Sequence, residues 1–372
     1  MTSHKILRFY LFIMLYVSFT KDISAQKLQP GFIKNEYEEL LKINQKVHIE
    51  FEKWKTDTAL PMPMNYKLIH RSNVVGFDNR WDFWANEQQL VGVIAIRGSI
   101  LTQASFLANF YAAMIPAKGE LQLSKEKSFS YQLATHPNAA VQAGWLIAMA
   151  HVSESIIPTI DSAYKKGMKD FLITGHSQGG GIAFMLTAYL RQLQLNKQLP
   201  NDIQFKTYCS AGPKPGNLFF AYEYEKMTQG GWAFNVVNTA DWVPDVPFSI
   251  QTTDDFTDVN PFPFAKDLIK QQKFPKNVAL KHVYNQLSKP AKKAQRKYEQ
   301  YLGKMVSKAV AKQLPEFQSP AYYKSNYFVR TGQTIVLYAD SDYILKYQQE
   351  TSIKNIWLHH MPDKYAELLK KY

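Results

Sequence analysis

The sequence predicts an α/β fold with a mostly parallel central sheet, and three observations carry that reading. Short apolar, β-branched runs alternate with stretches of helical periodicity. A Gly-x-Ser-x-Gly turn stands between one such run and one such helix. The 372 residues are 46% hydrophobic and 14% aromatic, enough to bury a large core without metals or disulfides.

Along the chain, residues 1–25 come first and differ from the rest. Lys5 and Arg8 precede an apolar run over 9–19, which gives way to Lys21, Asp22 and Ser24-Ala25-Gln26. This is the pattern of a secretory signal cleaved near Ala25, so the protein is expected to be exported with a body of residues 26–372. A spanning anchor needs about 20 apolar residues, and this run is too short. Cys209 is the only cysteine, which leaves no internal disulfide to form; it reads as a small core residue.

Residues 80–85 and 90–97 read as strands joined by the polar turn 86–89. Phe106, Leu107, Phe110, Tyr111, Met114 and Ile115 then recur at spacings of three and four, predicting one apolar stripe on a short helix. A longer helix over about 141–166 leads into the apolar strand 171–174. Gly175-His176-Ser177-Gln178-Gly179 follows directly, and 182–192 is again helical. In that context the turn is so tight that Ser177 takes strained backbone angles, and side chains two positions either side would collide. The hydroxyl is lifted clear of the sheet, and the Gln178 N–H points into the same space. A nucleotide-binding loop is disfavoured, because no Lys-Ser/Thr pair follows the glycines.

A serine hydroxyl needs a base to take its proton, and the base needs a carboxylate to orient it. In this strand-turn-helix context the order is serine, acid, histidine. Asp241 lies just past the strand 232–238, where strand ends converge on a ligand crevice, with Asp245 as the fallback. The base must follow, which leaves His282, His359 and His360. His282 falls in a periodic helical stretch. His359 and His360 fall in a loop between the predicted last strand, 334–338, and a C-terminal helix opened by Pro362 and Asp363. His360 is preferred, with His359 as the alternative.

These blocks resemble the class 3, or fungal-type, triacylglycerol lipases of the α/β-hydrolase superfamily. Val93 through Ser99 resembles the strand ending in Arg-Gly-Ser/Thr, and Ala143-Gly144-Trp145 the block before the long helix, with Gln142 where the family often has histidine. Ile173 to Gly179 is similar to the elbow. The 207–217 stretch resembles the next strand and turn, and 236–244 the acid block with its Asp-x-Val-Pro. His360 followed by Tyr365 is the loosest match. The resemblance implies an α/β-hydrolase fold, a central mostly parallel sheet with helices on both faces. It implies a serine esterase acting on lipid esters, with Ser177, Asp241 and His360 as triad and Ser99 and Gln178 as oxyanion donors. It also implies that Phe106, Leu107, Phe110, Tyr111 and Met114 form a lid over the acyl site. A core helix is the plainer reading of that stripe.

The resemblance breaks down over about 250–325, and the charge lies there. The formal charge is +13, and the residues after 25 carry +11 of it. Residues 261–315 hold thirteen Lys/Arg against Asp267 and Glu299, so this one segment supplies the whole excess. It is expected to be a helical insertion. Between 291 and 313, Tyr298, Tyr301, Leu302, Met305, Val306 and Val310 share one face, and Lys293, Lys297, Lys304 and Lys308 lie largely on the other. A basic amphipathic helix could rest on an anionic membrane; the plainer alternative packs it on the body. Nucleic-acid binding is disfavoured, since no stacking or groove-reading motif accompanies the charge. No metal or other cofactor is expected. Two further function classes stay open: a lipid-binding protein that lost catalysis, and an esterase for non-lipid esters of the feruloyl kind.

Overall fold

The computed structural model describes residues 28–86, 90–257 and 259–372. The predicted signal segment and most of the 86–89 turn lie outside them. A helix that the sequence reading does not anticipate comes first: α1, Lys34–His48, with Tyr37, Leu40, Leu41 and Val47 buried on one side. The strands β1 (Lys67–Arg71), β2 (Trp81–Ala85) and β3 (Val91–Ile96) follow. Next are α2 (Gln103–Phe110), β4 (Met114–Pro116), β5 (Lys118–Gln122), β6 (Ser128–Gln132) and β7 (Ala140–Gln142). Then come α3 (Ala143–Lys165), β8 (Asp170–His176), α4 (Gln178–Leu195), β9 (Gln204–Ser210), α5 (Leu218–Thr228) and β10 (Ala233–Asn238). After β10 lie α6 (Ala265–Lys270), α7 (Lys276–Glu299), a π-helical segment Gln300–Met305, and α8 (Val306–Gln313). The chain returns through β11 (Gln333–Leu337), α9 (Ser341–Tyr347) and α10 (Pro362–Leu369).

Seven strands form the main sheet in the order β1-β2-β3-β8-β9-β10-β11. The first three are antiparallel and the last five run parallel. This is the α/β-hydrolase architecture expected from the sequence. The register brings the carboxyl ends together: Ile96 pairs with Gly175, His176 with Ser210, Ser210 with Val236, and Asn238 with Leu337. Strand residues alternate between two cores. Ile94, Ile96, Phe171 and Ile173 pack with α3 and α4, while Val93, Ala95 and Leu172 pack with α1 and α10. Both faces are therefore dry, which is why these strands read as continuous apolar runs.

Two expectations need correction. The apolar stripe is not one helix, because α2 ends at Phe110. Tyr111 and Met114 are fully buried, and Met114 and Ile115 sit in β4, paired with β7. The local spacing fitted a helix, but strand pairing and burial won. The apolar face predicted over 291–313 is likewise only partly free. Tyr298 packs with Ala112, Met114 and Phe328, and Val310 lies in the main core with Val306 against it. Protein thus covers Tyr298, Leu302, Val306 and Val310, while Tyr301 and Met305 on the same face stay exposed. The contact is close: a Cβ on Gly303 would come within 2.9 Å of Ala113 Cβ.

Candidate active site

The turn after β8 has the geometry its glycines require. Ser177 adopts φ 62° and ψ −128°, a conformation disfavoured for any residue with a Cβ. A Cβ on Gly175 would stand 2.2 Å from the Gly179 carbonyl oxygen, and one on Gly179 2.2 Å from the Ile96 carbonyl oxygen. The turn is thus pressed against itself and against the end of β3. The Ser177 N–H donates to the Ser210 carbonyl at 3.0 Å, tying the turn to β9. Gln178 opens α4, where N–H groups have no intrahelical acceptor and the helix dipole favours negative charge.

Asp241 is buried just past β10. Its Oδ1 accepts from the Val243 N–H at 3.0 Å; its Oδ2 accepts from His360 Nδ1 at 2.7 Å and from the Tyr365 hydroxyl at 2.7 Å. A carboxylate only accepts, so Nδ1 of His360 carries a proton, and in the neutral tautomer of that ring the lone pair is on Nε2. The other candidates go elsewhere. Asp245 is exposed and pairs with Arg330 at 3.2 Å. His359 turns its ring to the Tyr343 hydroxyl at 3.0 Å and Thr351 Oγ1 at 3.1 Å. His282 is exposed on α7.

Several polar residues here were not singled out by the sequence reading. His176 Nε2 donates to the His360 carbonyl at 2.6 Å, and the two rings lie 4.8 Å apart. Burial holds His176 well below the usual histidine range, so it is neutral and its Nδ1 is an acceptor. The Ser210 hydroxyl therefore donates to it at 3.0 Å and accepts in turn from the Tyr37 hydroxyl at 2.6 Å. His48, at the end of α1, accepts the Gly98 N–H at 3.2 Å, fixing the peptide that precedes Ser99. Burial first, then the positive charge of Arg97, push His48 down to about 3.

Asn109 joins three predicted blocks. It donates to Ser99 Oγ at 2.9 Å, and its Oδ1 accepts from Gln178 Nε2 at 2.9 Å and Trp145 Nε1 at 3.0 Å. Gln142 caps α3 through the Trp145 N–H at 2.5 Å and donates to the Ala108 carbonyl at 2.8 Å. Both bind α2 to the body, so swinging it away as a lid would break them. Of the predicted lid residues, Phe106 and Leu107 are half-buried and only Phe110 is exposed. The Gln142–Ala108, Asn109–Gln178, Tyr37–Ser210 and His176–His360 partnerships join residues 34 to 184 positions apart, beyond the reach of periodicity or spacing. The one hint was an amide within the apolar stripe of α2. Among the described residues, no cluster of His, Cys, Asp or Glu could hold a metal ion.

Together these features define an α/β-hydrolase-fold protein with a strained serine turn and a buried acid–histidine pair at one sheet edge. Residues 93–251 match the family model "Lipase (class 3)", a segment that carries the serine turn, β9 and the Asp241 block. A secreted mono- and diacylglycerol lipase 1 of Fusarium solani is 32% identical over 108 residues, 29% of either chain. The secreted mono- and diacylglycerol lipase LIP4 of Malassezia restricta is 38% identical over 73 residues, 20% of this chain and 22% of its own. The chain thus spans less than a third of the length of these curated relatives. Among solved structures, the Lip2 lipase of Yarrowia lipolytica aligns at 17% identity over 60% of this chain and 78% of its own, with a TM-score of 0.44.

Proposed function

We propose that the chain hydrolyses carboxylic ester bonds of lipids, acylglycerols or phospholipids, through an acyl-enzyme. The observation that carries this is the buried Asp241–His360 hydrogen bond of 2.7 Å at the sheet edge where the Ser177 turn also emerges. His360 Nε2 takes the Ser177 proton and Oγ attacks the ester carbonyl. The oxyanion is held by the N–H groups of Ser99 and Gln178, each worth about 3 kcal/mol of barrier by analogy with other acyl-transfer sites. The C–O bond breaks, His360 returns the proton to the leaving alcohol, and water repeats the sequence to release the acid. Asp241 keeps the imidazole in the useful tautomer and stabilises its positive form.

The choice of lipid esters is supported by the family match over 93–251 and by relatives named as acylglycerol lipases. Export is supported by those relatives being named as secreted, with a signal cleaved near Ala25. Among the described residues no helix is long and apolar enough to cross a membrane. We also regard about 250–325 as an insertion on the hydrolase body. The test is a panel of p-nitrophenyl esters, acylglycerols and phospholipids, with a serine-reactive fluorophosphonate, on the wild type and Ser177→Ala. Turnover and labelling that vanish in the variant are expected. An unlabelled, inactive wild type would return the chain to lipid binding without catalysis, and activity confined to aromatic esters would redirect the substrate class.

A further inference from the structure

The second half of the basic connection is fastened to the body; the first half is not. Phe264 just before α6, Leu268 on α6, Phe274 before α7, and Val278, Leu280, Val283 and Leu287 on α7 are all exposed, Phe274 by 81% and Leu287 by 74%. Leu280, Val283 and Leu287 stand at i, i+3 and i+7, so they form one stripe along the helix. Of the thirteen cations in 261–315, only Lys270, Lys292 and Lys304 form ion pairs among the described residues. Lys266, Lys273, Lys276, Lys281, Lys289 and Lys293 are exposed among or beside the apolar residues.

Each property alone is ordinary; their coincidence is not. An apolar stripe left open to water is costly unless something covers it. A concentration of unpaired cations on the same element selects an anionic partner. A second copy of this chain would bring like charges together, which opposes that pairing.

We propose that the 264–287 stretch is a docking surface for anionic lipid bilayers, the apolar side chains entering the headgroup boundary and the lysines meeting lipid phosphates. It deepens the lipid-ester reading, on which it rests for the choice of a bilayer as the anionic partner. The π-helical segment and α8 then act as the rigid link to the catalytic body. Leu302 accepts from the Ala113 N–H at 3.1 Å, and α8 packs on α2, the helix tied to Ser99 by Asn109. A bilayer held at 264–287 is coupled through packed elements to the catalytic edge of the sheet.

The experiment is cosedimentation of the full chain with phosphatidylcholine vesicles, with and without phosphatidylglycerol, at low and high salt. Binding should require the anionic lipid and weaken as salt shortens the screening length. Lys273→Gln, Lys276→Gln and Lys281→Gln should each weaken it about fivefold. The triple variant Leu280→Ser/Val283→Ser/Leu287→Ser should weaken it at least about tenfold. All these positions are exposed, and the Ser177-dependent rate on a soluble short-chain ester should stay unchanged, confirming an intact body. Equal binding to neutral vesicles, indifference to both sets of variants, or a monomer–dimer equilibrium abolished by the triple variant would overturn the proposal. A wild type that binds vesicles yet cleaves no ester would instead remove the catalytic reading and leave the surface standing.

Discussion

The turn at Ser177 and the connection between β10 and β11 make opposite use of polar residues. Around the turn, His176, Ser210, Tyr37, Asp241, His360 and Tyr365 are buried or nearly so, and each has named partners. Along 261–315 the charges stand in solvent and most cations have no acidic partner among the described residues. A buried polar group must be satisfied in place, so one region is fixed by geometry; an exposed charge awaits a partner, so the other is defined by what it meets.

The sharpest way to break this contrast is at Asp241. Its carboxylate accepts from three donors, and an amide would offer hydrogens toward two of them. Asp241→Asn should lower kcat by about 10⁴ with the thermal transition nearly kept. Near-normal turnover in a folded variant would remove the acid from the mechanism. Next in size is Gly179→Ala. Its Cβ would meet the Ile96 carbonyl at 2.2 Å, backbone against backbone, with nothing flexible to yield. A loss of about 3 kcal/mol or more in denaturant unfolding is expected, and a stability unchanged within error would show that the turn is looser than its packing implies.

Asn109→Ala should cost about 2 kcal/mol, since it strands the Gln178 and Trp145 N–H donors. It should also lower kcat/KM about tenfold through the Ser99 loop. If activity rises only on substrate above its solubility limit, freeing α2 helps and the helix is a lid after all. The smallest expected effect is in pH. Unfolded His48 takes a proton near its ordinary value of 6.5, whereas the folded residue resists to about 3. The unfolded state then binds more protons across that window, so stability falls as pH drops from about 6.5 toward 3. His48→Gln should flatten that decline in thermal transition temperature against pH. An unchanged slope would place the acid sensitivity in other groups, such as His176.

The parts of the site that were legible in the sequence are those set by local backbone chemistry. Gly175, Ser177 and Gly179 announce their turn because only glycine fits beside it, and Asp241 and His360 stood out by order along the chain and by lying past strand ends. Asn109, His48 and Tyr37 gave no such signal, because their meaning comes from partners far along the chain. Tyr111 and Met114 misled for the related reason that a helical spacing over six residues is outweighed by one short strand pairing. The face at 291–313 was amphipathic as expected, yet amphipathicity alone does not say whether protein or lipid lies opposite.

The Asp241–His360 hydrogen bond closes a loop of 119 residues, and the His176–His360 contact one of 184. Closures of that length come late and slowly, after local elements have formed. A nascent or half-assembled chain could therefore own the bent serine while lacking any group to deprotonate it. Ester cleavage would then report completion of the whole topology, and a partially folded population would be chemically silent toward the lipids around it.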